Sequence, residues 1–169
     1  MAEQVFLNDG LVDAAEAKIS AFDSGFLYGA GLFETMRAGN GRVFRLDDHL
    51  DRLFQSAAVL AVNVDFDRAY VAEALSELLE ANDLTDARIR LTVTGGPMTL
   101  EPEDRKCTLL ITATKLAPYP DEYYQKGVMV TLSAYRQNPM DPTHGHKTTS
   151  YYSRLLALQK AHTLGGAES

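Results

Sequence analysis

The spacing of apolar positions divides the chain into distinct pieces. Val5-Phe6-Leu7 is a short apolar strand, and Asn8-Asp9-Gly10 ends it with a turn. Leu32 to Arg37 and Arg42 to Arg45 read as two strands. Gly39-Asn40-Gly41 between them supplies positive φ at low cost, so the two strands form a hairpin. Next come two helices. In the first, Leu50, Leu53, Phe54 and Ala57 fall at helical spacing, and Asp47 or Asp48 is its expected cap. The second runs from about Asp67 to Ala81, with Val71, Ala74, Leu75, Leu78 and Leu79 as its apolar stripe and Asn82 as its stop.

Three strands are expected after the helices. Ala87 to Thr94 alternates, with Ile89, Leu91 and Val93 on one face; Thr108 to Thr114 is more continuously apolar; Val128 to Leu132 is the third. A polar segment from Tyr135 to Thr149 leads into a helix over about Ser150 to Thr163, which Gly165-Gly166 ends. The pattern is α+β: a small antiparallel sheet domain with two helices on one face, covering about residues 1–120. Beyond Pro118-Tyr119-Pro120 come a strand, a loop and a helix, the start of a second, truncated domain.

Composition narrows the function classes. The chain has 169 residues, 46% hydrophobic and 23% charged, as a folded globular protein does. A net charge of −7 argues against nucleic acid as a partner, because a phosphate-binding surface needs a clustered Lys/Arg excess. No apolar run approaches the roughly 20 residues of a membrane-spanning helix, and the first residues lack the pattern of a signal peptide. Cys107, the single cysteine, lies in an apolar run and reads as a buried structural thiol in a reducing compartment, here the cytoplasm.

Taken alone, Lys147 in Thr143-His144-Gly145-His146-Lys147-Thr148-Thr149-Ser150-Tyr151-Tyr152 is either a solvated loop lysine or a nucleophile whose amine is tuned by its surroundings. Arg52 is either a surface arginine paired with Asp48 at i+4 or a phosphate ligand, since its fork matches phosphate geometry. His144 and His146 lack a third ligand at convincing spacing, so no metal site is expected. Ser24, His49 and Asp23 do not form a hydrolase set, and no Gly-rich phosphate-binding loop is present.

Three ordered blocks carry a resemblance. Ala21 to Arg37, with Tyr28-Gly29 and Phe33-Glu34-Thr35, resembles the N-terminal signature of class IV aminotransferases, fold-type IV enzymes that use pyridoxal 5'-phosphate (PLP). The likeness continues through Val43 to Leu53, which holds His-x-x-Arg-Leu, and resumes at His146-Lys147 through Leu155-Leu156-Ala157. It implies that Lys147 is the Schiff-base lysine, that Arg52 binds the cofactor phosphate and that Tyr152 lies near the cofactor ring. It further implies that Tyr28 and Phe33 line a substrate pocket built partly across a homodimer interface. The expected substrate is a small amino-acid-like carboxylate, and the freed Lys147 amine moves the α-proton.

Thr35 stands where branched-chain aminotransferases usually carry glycine and aminodeoxychorismate lyases often carry threonine. It favours the lyase, which releases pyruvate, with branched-chain transamination as the alternative. D-Amino-acid aminotransferases carry an Arg/His pair where Pro97-Met98-Thr99-Leu100 stands, which disfavours that subtype. The family continues well past Ser169, so residues 121–169 are expected to be a linker and the incomplete beginning of the PLP-binding domain. A non-catalytic interaction module and an unrelated α+β binding domain are the competing readings.

Overall fold

The computed structural model describes residues 3–98, 101, 105–134 and 136–169. Thr99 and Leu100, part of the stretch used to weigh the D-amino-acid subtype, lie outside the described residues. The chain forms two compact units, Met1–Leu116 with Gly145–Ser150, and Ala117–His144 with Tyr151–Ser169.

The first unit is an antiparallel sheet of β1 (Gln4–Leu7), β2 (Gly10–Asp13), β3 (Gly31–Gly39), β4 (Arg42–Val43), β5 (Ala87–Thr94) and β6 (Thr108–Lys115). Their order across the sheet is β2-β1-β6-β5-β3-β4. Asn40 (φ 51°) and Gly41 (φ 73°) turn β3 into β4, as the Gly-Asn-Gly signal predicts. A short helix α1 (Ser24–Tyr28) precedes β3, and α2 (Leu46–Val59) and α3 (Arg68–Ala81) follow β4.

Alternation along the strands creates the layers. On β5, Ile89, Leu91 and Val93 are fully buried, whereas Arg88 and Arg90 are exposed. The register sets Leu32 against Val93, Met36 against Ile89, and Leu91 against Ile111, so one sheet face is continuously apolar. Both long helices cover that face, α2 against β3 and α3 against β1, β2 and β6. Leu50, Leu53, Val71, Leu75 and Leu78 form the opposing layer. The other face carries Phe33, Thr35, Arg37, Arg88, Arg90 and Thr92.

Three expectations need correction. Neither Asp47 nor Asp48 caps α2. Arg45 occupies the cap position in a left-handed conformation (φ 52°, ψ 43°) with no side-chain cap bond. The two aspartates lie in the first turn, where they complement the helix dipole, and Asp48 accepts from Arg45 Nε at 2.7 Å. Val128 to Leu132 is not a strand. Among the described residues it makes one parallel bridge, Val130 to Glu168, with bonds to residues 167 and 168, and a strand needs a ladder. The last helix, α5 (Tyr152–Thr163), starts two residues late because residues 145–150 belong to the first unit, where Thr149 N bonds to the Gly31 carbonyl. The second unit also holds α4 (Asp121–Lys126), which apolar spacing does not signal.

Asp67 does cap α3: its backbone is extended and its carboxylate accepts from Tyr70 N at 2.8 Å. Asp67→Ala is therefore expected to cost about 1 kcal/mol in urea unfolding. Asp48→Ala, at a solvent-exposed pair, should cost distinctly less; equal losses would contradict the assignment of caps.

Candidate functional site

The edge of β3 brings the candidate residues together. Residues 147–149 run antiparallel to the start of β3, with Leu32 bridging Thr148. Phe33 N donates to the Lys147 carbonyl at 2.9 Å, and Thr149 N donates to the Gly31 carbonyl at 2.8 Å. The Thr149 hydroxyl donates to the Gly29 carbonyl at 2.7 Å. Glycine is required at position 31 for this approach, since a Cβ there would stand 2.7 Å from the Val93 carbonyl oxygen and 3.0 Å from Thr149 Oγ1.

This pairing turns the Lys147 side chain onto the polar sheet face. Its Nζ lies 4.2 Å from the ring centroid of Phe33, which is itself buried. The guanidinium of Arg90 lies 3.9 Å from the same centroid. Thr35, half-buried, is two residues along β3 on this face and is directly paired with Arg90. The Gly31 carbonyl, the Phe33 amide and the Arg37 carbonyl all bond outward along this edge of β3, the last to Phe44 N. By alternation the Thr35 backbone faces the same edge, and no described strand covers it between Lys147 and Phe44.

Arg52 is held from below. Glu34 sits in the apolar layer of β3 with its side chain 1% exposed. Its Oε1 accepts from Arg52 Nε at 2.6 Å, and its Oε2 accepts from Arg52 Nη2. Glu34 Oε2 also lies 2.8 Å from His49 Nδ1. Arg52 thus pairs with Glu34, not with Asp48, which Arg45 has taken. The bond to Glu34 and its charge raise the Arg52 pKa further above its ordinary value, against the opposing effect of burial, so the cation is permanent. The Arg52 side chain is half-exposed, and Nη1 lies outside the carboxylate grip.

The segment before β3 is fixed by Asp23, a buried carboxylate. It accepts from Gly25 N at 2.7 Å, Thr94 Oγ1 at 2.8 Å and Thr108 Oγ1 at 2.7 Å. These bonds tie α1 to the end of β5 and the start of β6. Tyr28, at the end of α1, is exposed, as are Phe22 and Phe26. Tyr152 is exposed at the first position of α5 in the second unit.

The first unit therefore joins Phe33, Thr35 and Lys147 on one sheet face and carries Arg52 on the helix packed against the other. Glu34 and Arg90 were given no role from sequence, and His146 was weighed there only as a metal ligand. Glu34 had a signal: a carboxylate stands where the Leu32–Met36 alternation demands an apolar residue. His146 had none, because its partner, Ser56, is 90 residues away. Cys107 is buried and free, and its thiol is pushed up to about 12, first by burial and then by its hydrogen bond to Asp65. Among the described residues, no helix is long and apolar enough to cross a membrane.

Comparison with known proteins gives a consistent result. The family described as amino-transferase class IV matches residues 31–169. A putative branched-chain-amino-acid aminotransferase of Methanocaldococcus jannaschii is 35% identical over 98% of this chain and 58% of its own length. The aminodeoxychorismate lyase of Bacillus subtilis is 30% identical over 92% of this chain and 54% of its own length. The chain thus spans little more than half the length of these relatives. The branched-chain aminotransferase of the thermophilic archaeon Thermoproteus uzoniensis, solved with norvaline, superposes with a TM-score of 0.84. It is 28% identical, and the match covers 99% of this chain and 58% of that one.

Arg52→Ala abandons a buried carboxylate, whereas Glu34→Gln removes the charge and keeps the shape. Arg52→Ala is expected to be the less stable by about 1–3 kcal/mol in urea unfolding. The folded Cys107 thiol holds its proton more tightly than the unfolded one, whose ordinary value is 9.0. Its contribution to stability is intact below that value and is lost as pH rises toward about 12. Alkylation at pH 8 should be slow in the folded protein and fast in urea, because the thiolate is the reactive form.

Proposed function

Because the chain belongs to the amino-transferase class IV family, whose members are PLP-dependent, we propose that it carries out PLP-dependent amino-group chemistry through Lys147. The substrate is a small amino-acid-like carboxylate. The supporting observation is the setting of Lys147, whose backbone is bonded to β3 and whose amine rests on the Phe33 ring. The residues present fit the cofactor. They offer a primary amine on an aromatic face for its carbonyl, and a permanently charged guanidinium, held on one edge by Glu34, for its phosphate.

PLP, when bound, supplies the electron sink that makes the substrate's α-carbon acidic. Lys147 is the attachment amine and then the base that takes and returns the α-proton. Arg52 binds the phosphate, with Glu34 setting the plane of its fork. Phe33 and Tyr28 shape the substrate pocket, and Tyr152 flanks the cofactor ring, an assignment that rests on the family motif alone. The domain boundary falls near residue 120, and residues 121–144 and 151–169 belong to the PLP-binding domain, with residues 145–150 returning to the first unit. The exposed apolar residues Ile19, Phe22, Phe26 and Leu27 support a homodimer, and the use of a single, buried cysteine fits the cytoplasm.

For the reaction we favour pyruvate-releasing elimination, as in 4-amino-4-deoxychorismate lyase. The Thr35 hydroxyl lies on the Lys147 face of β3 and can deliver a proton to the departing three-carbon unit. Branched-chain transamination is the second reading, supported by the 35% identical relative.

Borohydride trapping with PLP, followed by peptide mass spectrometry, tests the reading. A single adduct at Lys147, lost in Lys147→Ala, is expected; label scattered over surface lysines would refute it. Arg52→Ala should weaken PLP binding about ten- to a hundredfold. Pyruvate formed from 4-amino-4-deoxychorismate, set against amino transfer from leucine to 2-oxoglutarate, decides between the two reactions. Sedimentation of the same sample decides the homodimer.

A further inference from the structure

The Lys147 segment is short, and the two ladder bonds at Phe33 and Thr149 do not by themselves fix the residue that precedes it. On its N-terminal side the chain turns away at Gly145, with φ +84°. In an extended segment, neighbouring side chains point to opposite faces. Lys147 faces the Phe33 ring; His146 faces the helix layer, where its Nδ1 lies 2.9 Å from Ser56 Oγ.

Ser56 is buried on α2. It lies four residues after Arg52 and seven after His49, so the three share one stripe of the helix. A serine inside a helix commonly bonds back to the carbonyl four residues earlier. Here the hydroxyl meets His146 instead, across 90 residues of sequence. Without His146 the buried Ser56 hydroxyl would lose this partner, and without Ser56 the half-buried imidazole would lose its own. The stripe is thus tied at both ends, to the sheet by Glu34 gripping His49 and Arg52, and to the Lys147 segment by His146.

We propose that His146 is a positioning residue: its bond to Ser56 couples the Lys147 segment to the helix that carries Arg52. One helix then sets the phosphate anchor and the attachment amine together. This rests on the reading of Lys147 and Arg52 given above.

The test compares the parent with His146→Leu and Ser56→Ala, which break the bond, and His146→Asn, whose amide can reach the place of Nδ1. Amide exchange at Phe33, which donates to the Lys147 carbonyl, reads the coupling without cofactor; Leu91, in the centre of the sheet, reports global stability. The two breaking variants are expected to speed exchange at Phe33 about three- to tenfold with Leu91 unchanged, and His146→Asn to restore the parental rate. Trapping of PLP at Lys147 should slow in the same two variants. Unchanged exchange at Phe33, or equal acceleration at Phe33 and Leu91, overturns the proposal. A parent that takes no label at Lys147 overturns the functional reading instead, while the exchange result still decides the coupling.

Discussion

A carboxylate stands in the apolar layer between sheet and helices, and much of the first unit answers to it. Glu34 occupies a position that alternation assigns to the core, between Leu32 and Met36. Burying an isolated charge there would be prohibitive. The penalty is offset because α2 brings both Arg52 and His49 onto its two oxygens. Rotating α2 about its axis, or sliding it by one residue, would break these bonds and leave the charge unmatched. A purely apolar contact tolerates such shifts far better, since dispersion and burial have little direction. Glu34 therefore does for the helix what shape alone does not: it selects one rotation.

That selection bears on the chemistry proposed. A guanidinium on a long, half-exposed side chain ordinarily samples many rotamers, and ordering it on binding has an entropic cost. Arg52 is ordered beforehand, with its charge secured and one edge of its fork left outside the carboxylate. Phe33 and Thr35 flank Glu34 in sequence and point to the other face. Three consecutive residues of β3 thus address the core helix and the Lys147 face in alternation.

The elements that could be read from sequence are those whose cause is local. The hairpin at Asn40-Gly41, the apolar stripe of α3 and its stop at Asn82 each depend on residues within one turn or one strand. The motif around Lys147 was legible as a resemblance, and the structure adds where its backbone is bonded. What escaped depends on distant partners. Arg52 has Asp48 at a suitable local spacing, yet Glu34 outcompetes it, and nothing near Arg52 in sequence announces this. Val128 to Leu132 has strand composition, but composition cannot supply the neighbour that a ladder requires.

The place of Lys147 in the sheet also has a consequence for the order of assembly. Its segment pairs with residues more than a hundred positions earlier, with most of the chain, including all of α4, looped between. Contacts at such separation carry a large closure entropy and form after local hairpins and helices. The receiving edge of β3 has to exist before residues 147–149 can add to it. Lys147 is therefore among the last pieces to be set, and partly folded chains would expose it without its aromatic platform. The amine acquires its defined surroundings only when the sheet beneath it is complete.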